Sequence, residues 1–251
     1  MVLGGGVSHG IAHVGVLKVI ERFHIPIDYI AATSSGGIVG AFYAAGMEIE
    51  KIEEIALKMN WHNLVRIHLF RKEMVTISGI EDMLKKYLGD KQFSDMKIPF
   101  AVAATCLKKA DLCILNEGSV AKAVAAGCAF PGAFAPAKIN SFLAADGGVI
   151  GYQVPVDVAR KMGANFVIAS DVVPVYPVED IPMDPLHIFE RAVNILMNKL
   201  SEDQTRRANI LVQPAIGEED LWHLDEHKAR RMVSAGEIAA EKVLRKLARK
   251  Y

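Results

Sequence analysis

"IDYIAATSSGGIVGAFYAAG" (residues 27–46) joins an extended apolar run to a helical pattern with nothing between them. The run ends at Thr33, and the helical pattern starts at Ser35 and closes at Gly46. Ser34, Ser35, Gly36 and Gly37 stand together at the corner. A plain turn is one account of them. A nucleophile on a sharp strand-to-helix bend is another, as in G-x-S-x-G elbows, where the neighbours of the serine must be small. The pentapeptide Ala32-Thr33-Ser34-Ser35-Gly36 carries alanine at the first small position, a mild steric demand. Ser34 ends the strand and would stand above the sheet edge with its Oγ free. Ser35 fits the first helical turn as a small residue or cap.

The alternation recurs along the chain. Helical patterns cover 11–23, 35–46, 49–59, 79–89, 119–129 and 155–164. Extended patterns cover 26–33, 99–105, 111–118, 138–148, 165–173 and 208–214, and a basic amphipathic helix covers about 226–250. "MVLGGG" allows a very short first strand and has no signal-peptide pattern. Buried strands separated by helices predict an α/β fold with a largely parallel central sheet covered on both faces, as one domain over 1–251. Chemistry in such sheets collects at the carboxyl ends of strands.

Composition narrows the classes. The 251 residues are 51% apolar, and 29 Lys+Arg balance 29 Asp+Glu, so no global charge points to nucleic acid. Cys106, Cys113 and Cys128 read as reduced, buried small hydrophobes of an intracellular protein. No cysteine–histidine cluster has zinc spacing, and no window suits a membrane span. Neither metal nor cofactor is expected.

"LGGGVSHG" (3–10) follows the short strand and opens a helix. Successive backbone N–H groups at a helix start make an anion site, suited to a phosphate or a transient oxyanion. The dinucleotide pattern G-x-G-x-x-G fails, because counting from Gly4 ends on His9. The P-loop fails because Ile11 and Ala12 follow Gly10 where Lys and Ser/Thr are required. The oxyanion reading survives beside that of a tight turn. A serine nucleophile needs a base. "AADGGV" (144–149) offers Asp146 at another strand end followed by glycines, although Asp in D-G-G is often a turn residue. His9 sits in the loop and could contact a ligand, while His13 suits packing or a local hydrogen bond.

Together "LGGGVSHGIAHVGVLKVIE", "IAATSSGGIVGAFYAAG", "AAGCAFPGAF" and "DGGVIGYQVPVDVARKMGANFVI" resemble, in order over most of the chain, the patatin-like phospholipases of the bacterial single-domain branch. The resemblance implies a three-layer α/β/α fold and a histidine-free Ser–Asp dyad, with Ser34 as nucleophile and Asp146 as base. It implies oxyanion donors from the loop Gly4, Gly5, Gly6 and Val7, lipid acyl esters as substrates and no metal. The chain departs from the family pattern at three places. His9 replaces a usual Arg or Lys, Ala32 replaces the elbow's first Gly, and "GYQ" (151–153) replaces paired asparagines with one residue more.

The stretch 61–75 mixes Trp61, Leu64 and Phe70 with Arg66, Arg71 and Lys72. It suits a lid resting on a bilayer or a connecting helix; the reduced cysteines set the expected location as cytoplasmic, with peripheral membrane contact if the stretch is a lid. The competing functions are a non-catalytic acyl-binding or regulatory protein on the same fold, and a soluble carboxylesterase or thioesterase.

Overall fold

The computed structural model describes residues 1–59, 77–139, 141–173, 185–216 and 225–248. The stretch 61–75, a lid or connector by its sequence, lies outside them. Among the described residues eight strands form one mixed sheet. They are β1 (Val2–Leu3), β2 (Ile30–Ala32), β3 (Phe100–Cys106), β4 (Asp111–Leu115), β5 (Ala137–Ile139), β6 (Phe142–Asp146), β7 (Ile168–Ser170) and β8 (Ile210–Val212). The helices are α1 (Ala12–Arg22), α2 (Ser35–Ala44), α3 (Ile49–Leu57), α4 (Ser78–Leu88), α5 (Val120–Gly127), α6 (Val156–Lys161), α7 (Pro185–Arg206) and α8 (Glu226–Ala248).

The strands β3, β2, β1, β7 and β8 lie side by side and parallel. β4 and β6 pair antiparallel with β3, and β5 pairs antiparallel with β6. The expected largely parallel sheet is therefore parallel through its centre and antiparallel at one flank. The stretch read as one strand over 138–148 is a hairpin, because β6 turns back on β5.

Side chains alternate between the two faces with the period of a strand. Leu3, Ile30, Ala32, Phe100 and Val102 join one apolar core with α1 to α5 and α8. Val2, Ala31, Ala101, Ala103 and Ala169 join a smaller core with Val156, Val158 and Ala159 of α6. Bulk on one face and alanine on the other set a thick helical layer against a thin one, and α7 packs on the thin side against α6. This is a three-layer α/β/α arrangement.

The sequence patterns contain no reading of α7. Its start carries Pro185 at the first helical position, where the missing N–H costs nothing. Leu196 and Leu200 are exposed while Met197 is buried. Apolar residues on several faces blur the stripe by which a surface helix is recognised. Cys106 and Cys128 are buried as expected, whereas Cys113 is only half-buried, on a flank strand.

α8 lies across α1, the helix after the glycine loop, at backbone contact distance. A Cβ added at Gly15 would sit 1.9 Å from the Val233 carbonyl oxygen, and one at Gly236 would sit 2.0 Å from that of Ala12. Glu237 and Glu241 of α8 take Arg22 of α1, and Glu237 also takes Lys18. Close contact leaves the overpacked helix nowhere to go but outward. Gly15→Ala is expected to lose about 2–3 kcal/mol of stability, read as a lowered urea midpoint at unchanged slope.

Candidate active site

Two strands meet head to head on one edge of β3. β3 has only two edges, and β4 occupies one of them from Val102 to Cys106. On the other edge β2 pairs Ile30–Ala32 with Phe100–Val102, running parallel. Further along that same edge β6 pairs Ala144–Asp146 with Cys106–Ala104, running antiparallel. The carboxyl ends of β2 and β6 therefore point at each other across Ala103. Ser34 lies two residues past the last residue of β2, Ala32, and Asp146 is the last residue of β6.

Ser34 has φ 51° and ψ −128°, a backbone state costly for a residue with a Cβ, by about 1–3 kcal/mol. The bend starts α2 at once, with the Gly37 N–H donating to the Ser34 carbonyl at 2.8 Å. Ser34 is half-buried, while its neighbour Ser35 is buried against Gly10, its Oγ without a hydrogen-bond partner among the described residues. Of the two expected roles for Ser35, small residue and cap, the structure keeps the first. Gly36 must lack a Cβ because one would fall 2.4 Å from the Leu3 carbonyl oxygen. That close approach seats α2, the helix that follows Ser34, against the end of β1.

Asp146 is buried (1% exposed). Its main chain is fixed at both ends, by its N–H to Ala129 O at 3.0 Å and by the Thr105 hydroxyl donating to its carbonyl at 2.7 Å. Its carboxylate accepts the Gly148 N–H at 2.9 Å. Burial lifts its pKa from 3.8 to about 6; the Gly148 hydrogen bond and, more weakly, the Ser34 hydroxyl within reach oppose that rise. Cys128 shares this corner. Burial pushes its thiol well up, the Asp146 charge adds to the rise, and the Ser34 hydroxyl opposes it.

The glycine loop closes the third side. The Gly4 N–H donates to Ser170 O and the Gly5 N–H to Gln153 O, each at 2.9 Å. Both amides are thereby committed to the frame. The Gly6 and Val7 N–H groups carry no hydrogen bond to another described residue. Val7 holds φ 47°, unusual for a β-branched side chain, at the start of the 3-10 turn Val7–Ile11. His9 is buried inside that turn. A Cβ at Gly5 would lie 3.0 Å from Ser34 Cβ, so loop and elbow touch.

His13, suited by sequence to packing or a local hydrogen bond, is an anchor of this loop. It is fully buried, with Nε2 2.8 Å from the Gly4 carbonyl and Nδ1 2.9 Å from Ser170 Oγ. A carbonyl only accepts, so the proton sits on Nε2 and the Ser170 hydroxyl donates to Nδ1. Burial drops this imidazole to about 4, against the opposing Gly4 bond, and keeps it neutral. The replaced "GYQ" segment is stitched in as firmly. The Thr33 hydroxyl donates to Tyr152 O at 2.6 Å, and the Gln153 N–H donates to Ser201 Oγ of α7 at 3.0 Å. Of the site members that sequence reasoning misses, Thr105 and Cys128 stand in stretches that give no hint of their partners. Gln153 shows in the sequence only as a departure from the family pattern.

A folded pKa above the unfolded value means that burying Asp146 favours the native state only while the group is protonated. That advantage is lost as pH rises from 3.8 through about 6. Asp146→Asn is expected to unfold at a higher temperature than the parent at pH 8. The gain of about 3 kcal/mol should shrink towards pH 4, and thermal melts across that range check it.

Comparison with known proteins agrees with the fold and the motifs. The family model described as Patatin-like phospholipase matches residues 1–160, well over half of the chain. Patatin-like phospholipase domain-containing protein 6 of Homo sapiens is 32% identical over 180 residues, 68% of this chain and 13% of that protein. Lysophospholipase NTE1 of Candida albicans is 30% identical over 178 residues, again 68% of this chain and 13% of the relative. The chain thus spans a small part of the length of these curated relatives. The crystal structure of VipD from Legionella pneumophila aligns with a TM-score of 0.64 over 97% of this chain and 66% of that one, at 12% identity, a likeness of fold.

Proposed function

The chain belongs to the patatin-like phospholipase family, and from that premise we propose that it hydrolyses lipid acyl esters, phospholipids or lysophospholipids, with Ser34 as nucleophile and Asp146 as base. The observation that carries the reading is the convergence of the carboxyl ends of β2 and β6 across Ala103, which sets the buried Asp146 carboxyl within reach of the hydroxyl of Ser34 on its strained elbow. Apo contacts between nucleophile and base are often looser than in the reacting complex.

In the first half-reaction the Asp146 carboxylate takes the Ser34 proton as Oγ bonds to the acyl carbon. The carbonyl electrons move to its oxygen. The Gly6 and Val7 N–H groups, free of other partners among the described residues, receive that oxyanion, while the amides of Gly4 and Gly5 hold the loop in shape. Removing one such donor costs roughly 3–4 kcal/mol in comparable sites. Collapse expels the alcohol, which takes the proton from Asp146 and leaves an acyl ester on Ser34. Water then attacks that ester, Asp146 takes its proton, and the fatty acid leaves as Ser34 is reprotonated. The raised pKa makes Asp146 a stronger base than an exposed carboxylate. Among the described residues no helix is long and apolar enough to cross a membrane.

A fluorophosphonate probe is expected to label the protein and its Ser35→Ala variant but not Ser34→Ala. Labelling that persists in Ser34→Ala would refute the assignment. Hydrolysis of p-nitrophenyl esters should rise with pH through about 6 and level off above it, as Asp146 ionises. Asp146→Asn should lower it roughly 10²–10⁴-fold. A rate that climbs with acyl-chain length and jumps when substrate aggregates marks a lipid enzyme; a flat profile marks a soluble esterase.

A further inference from the structure

Gln153 stands between the glycine loop and the Asp146 turn, and its side chain is only 5% exposed. Its main chain is held on both sides, by the Gly5 N–H on its carbonyl and by Ser201 Oγ on its N–H. The carboxamide is wedged where two side chains are missing. A Cβ at Gly5 would meet its Nε2 at 3.1 Å and Oε1 at 3.2 Å, and the same point lies 3.0 Å from Ser34 Cβ. A Cβ at Gly148 would meet Met197 Cε at 2.0 Å, Oε1 at 2.3 Å and Asp146 Oδ1 at 3.3 Å. The two oxygens stand beside the flexible Met197 methyl and lie within the span of two ordinary hydrogen bonds, so a single water that bridges them needs that methyl to swing aside.

Oε1 is buried and accepts no hydrogen bond among the described residues. A buried acceptor left without a donor costs about 1–3 kcal/mol, and such groups concentrate where a donor arrives during function. Asp146, as base, takes one water proton, and the second O–H needs its own acceptor if the water is to keep one orientation.

We propose that Gln153 orients the water of the second half-reaction, resting on the Ser34–Asp146 reading of the site. One O–H of the water points to Asp146, the other to Gln153 Oε1, and a lone pair is left facing the acyl carbon on Ser34. A bond forms between the water oxygen and that carbon, and the carbonyl electrons move to the oxyanion. The first proton passes to Asp146, and collapse breaks the bond to Ser34 Oγ, which recovers the proton from Asp146. The second proton stays with the product acid, so Gln153 gains and loses nothing. The first half-reaction uses no water and so has no need of Oε1.

The experiment is the kinetics of Gln153→Met, which keeps the length and removes the acceptor. Gln153→Leu is the second variant should the first be insoluble. Fluorophosphonate labelling rate and kcat/KM for a p-nitrophenyl ester, which report acylation of Ser34, are expected to stay at parental values. The decay of the acyl-enzyme, followed by burst kinetics and intact-protein mass, is expected to slow roughly tenfold, the rate equivalent of one hydrogen bond. Acyl-enzyme should accumulate, with kcat and KM falling together. An unchanged decay overturns the proposal, as does a parallel loss of labelling and kcat/KM, which is the mark of a merely structural wedge. If the parent protein itself neither labels nor turns over, the failure lies in the underlying reading, and the role of Gln153 falls with it.

Discussion

The two-edged nature of one strand is the constraint on which the site depends. β3 gives one edge to β4 and shares the other between β2 and β6, which approach from opposite directions. Hydrogen-bond register fixes where each must stop: Ala32 opposite Val102 and Asp146 opposite Ala104. A slip of one residue would flip every side chain to the other face, so alternation of bulk and alanine on β2 and β3 protects the register as well as the core. Ser34 and Asp146, 112 positions apart by their numbers, meet because two ladders end at one point.

This corner is locally unfavourable and the rest of the domain compensates. Ser34 and Val7 hold positive φ values, Asp146 is a buried carboxyl, and Gln153 Oε1 has no donor among the described residues. Such features persist only where the surroundings over-determine them. Here the surroundings are main-chain stitches: Thr105 on Asp146, Thr33 on Tyr152, Ser201 on Gln153, and His13 with Ser170 on Gly4. Each joins segments apart in the chain, so the glycine loop, the elbow and the Asp146 turn are held as a unit. A neutral His13 suits this duty, because a buried imidazolium would need a countercharge that neither of its two partners supplies.

The glycine loop shows how a motif can be legible while its division of labour is not. Gly4, Gly5 and Gly6 are alike in sequence. In the structure two of their amides are tied to Ser170 and Gln153, and the third, like that of Val7, has no partner among the described residues. No spacing rule distinguishes them, since the choice depends on where β7 and the 151–153 segment come to lie. α7 is the same lesson at larger scale. It holds Gln153 through Ser201 and packs Met197 beside Gly148, yet its apolar residues fall on exposed and buried faces alike.

By itself the sequence determined what local physics can determine. Period-two and helical patterns specified the α/β class and most of the elements, while small residues at junctions and glycines at a helix start marked Ser34, Asp146 and the 4–7 loop as candidates whose roles only the family resemblance implies. Those signals are short-range, because backbone sterics and side-chain period act within a few residues. Only the tertiary structure decided that β6 runs back along β3 to face β2, which amides are spent on the frame, and that Gln153 is driven in between the glycine loop and Asp146. Strand direction and hydrogen-bond partnership are settled by segments far apart in the chain competing for the same edge, and no window on the chain contains both competitors.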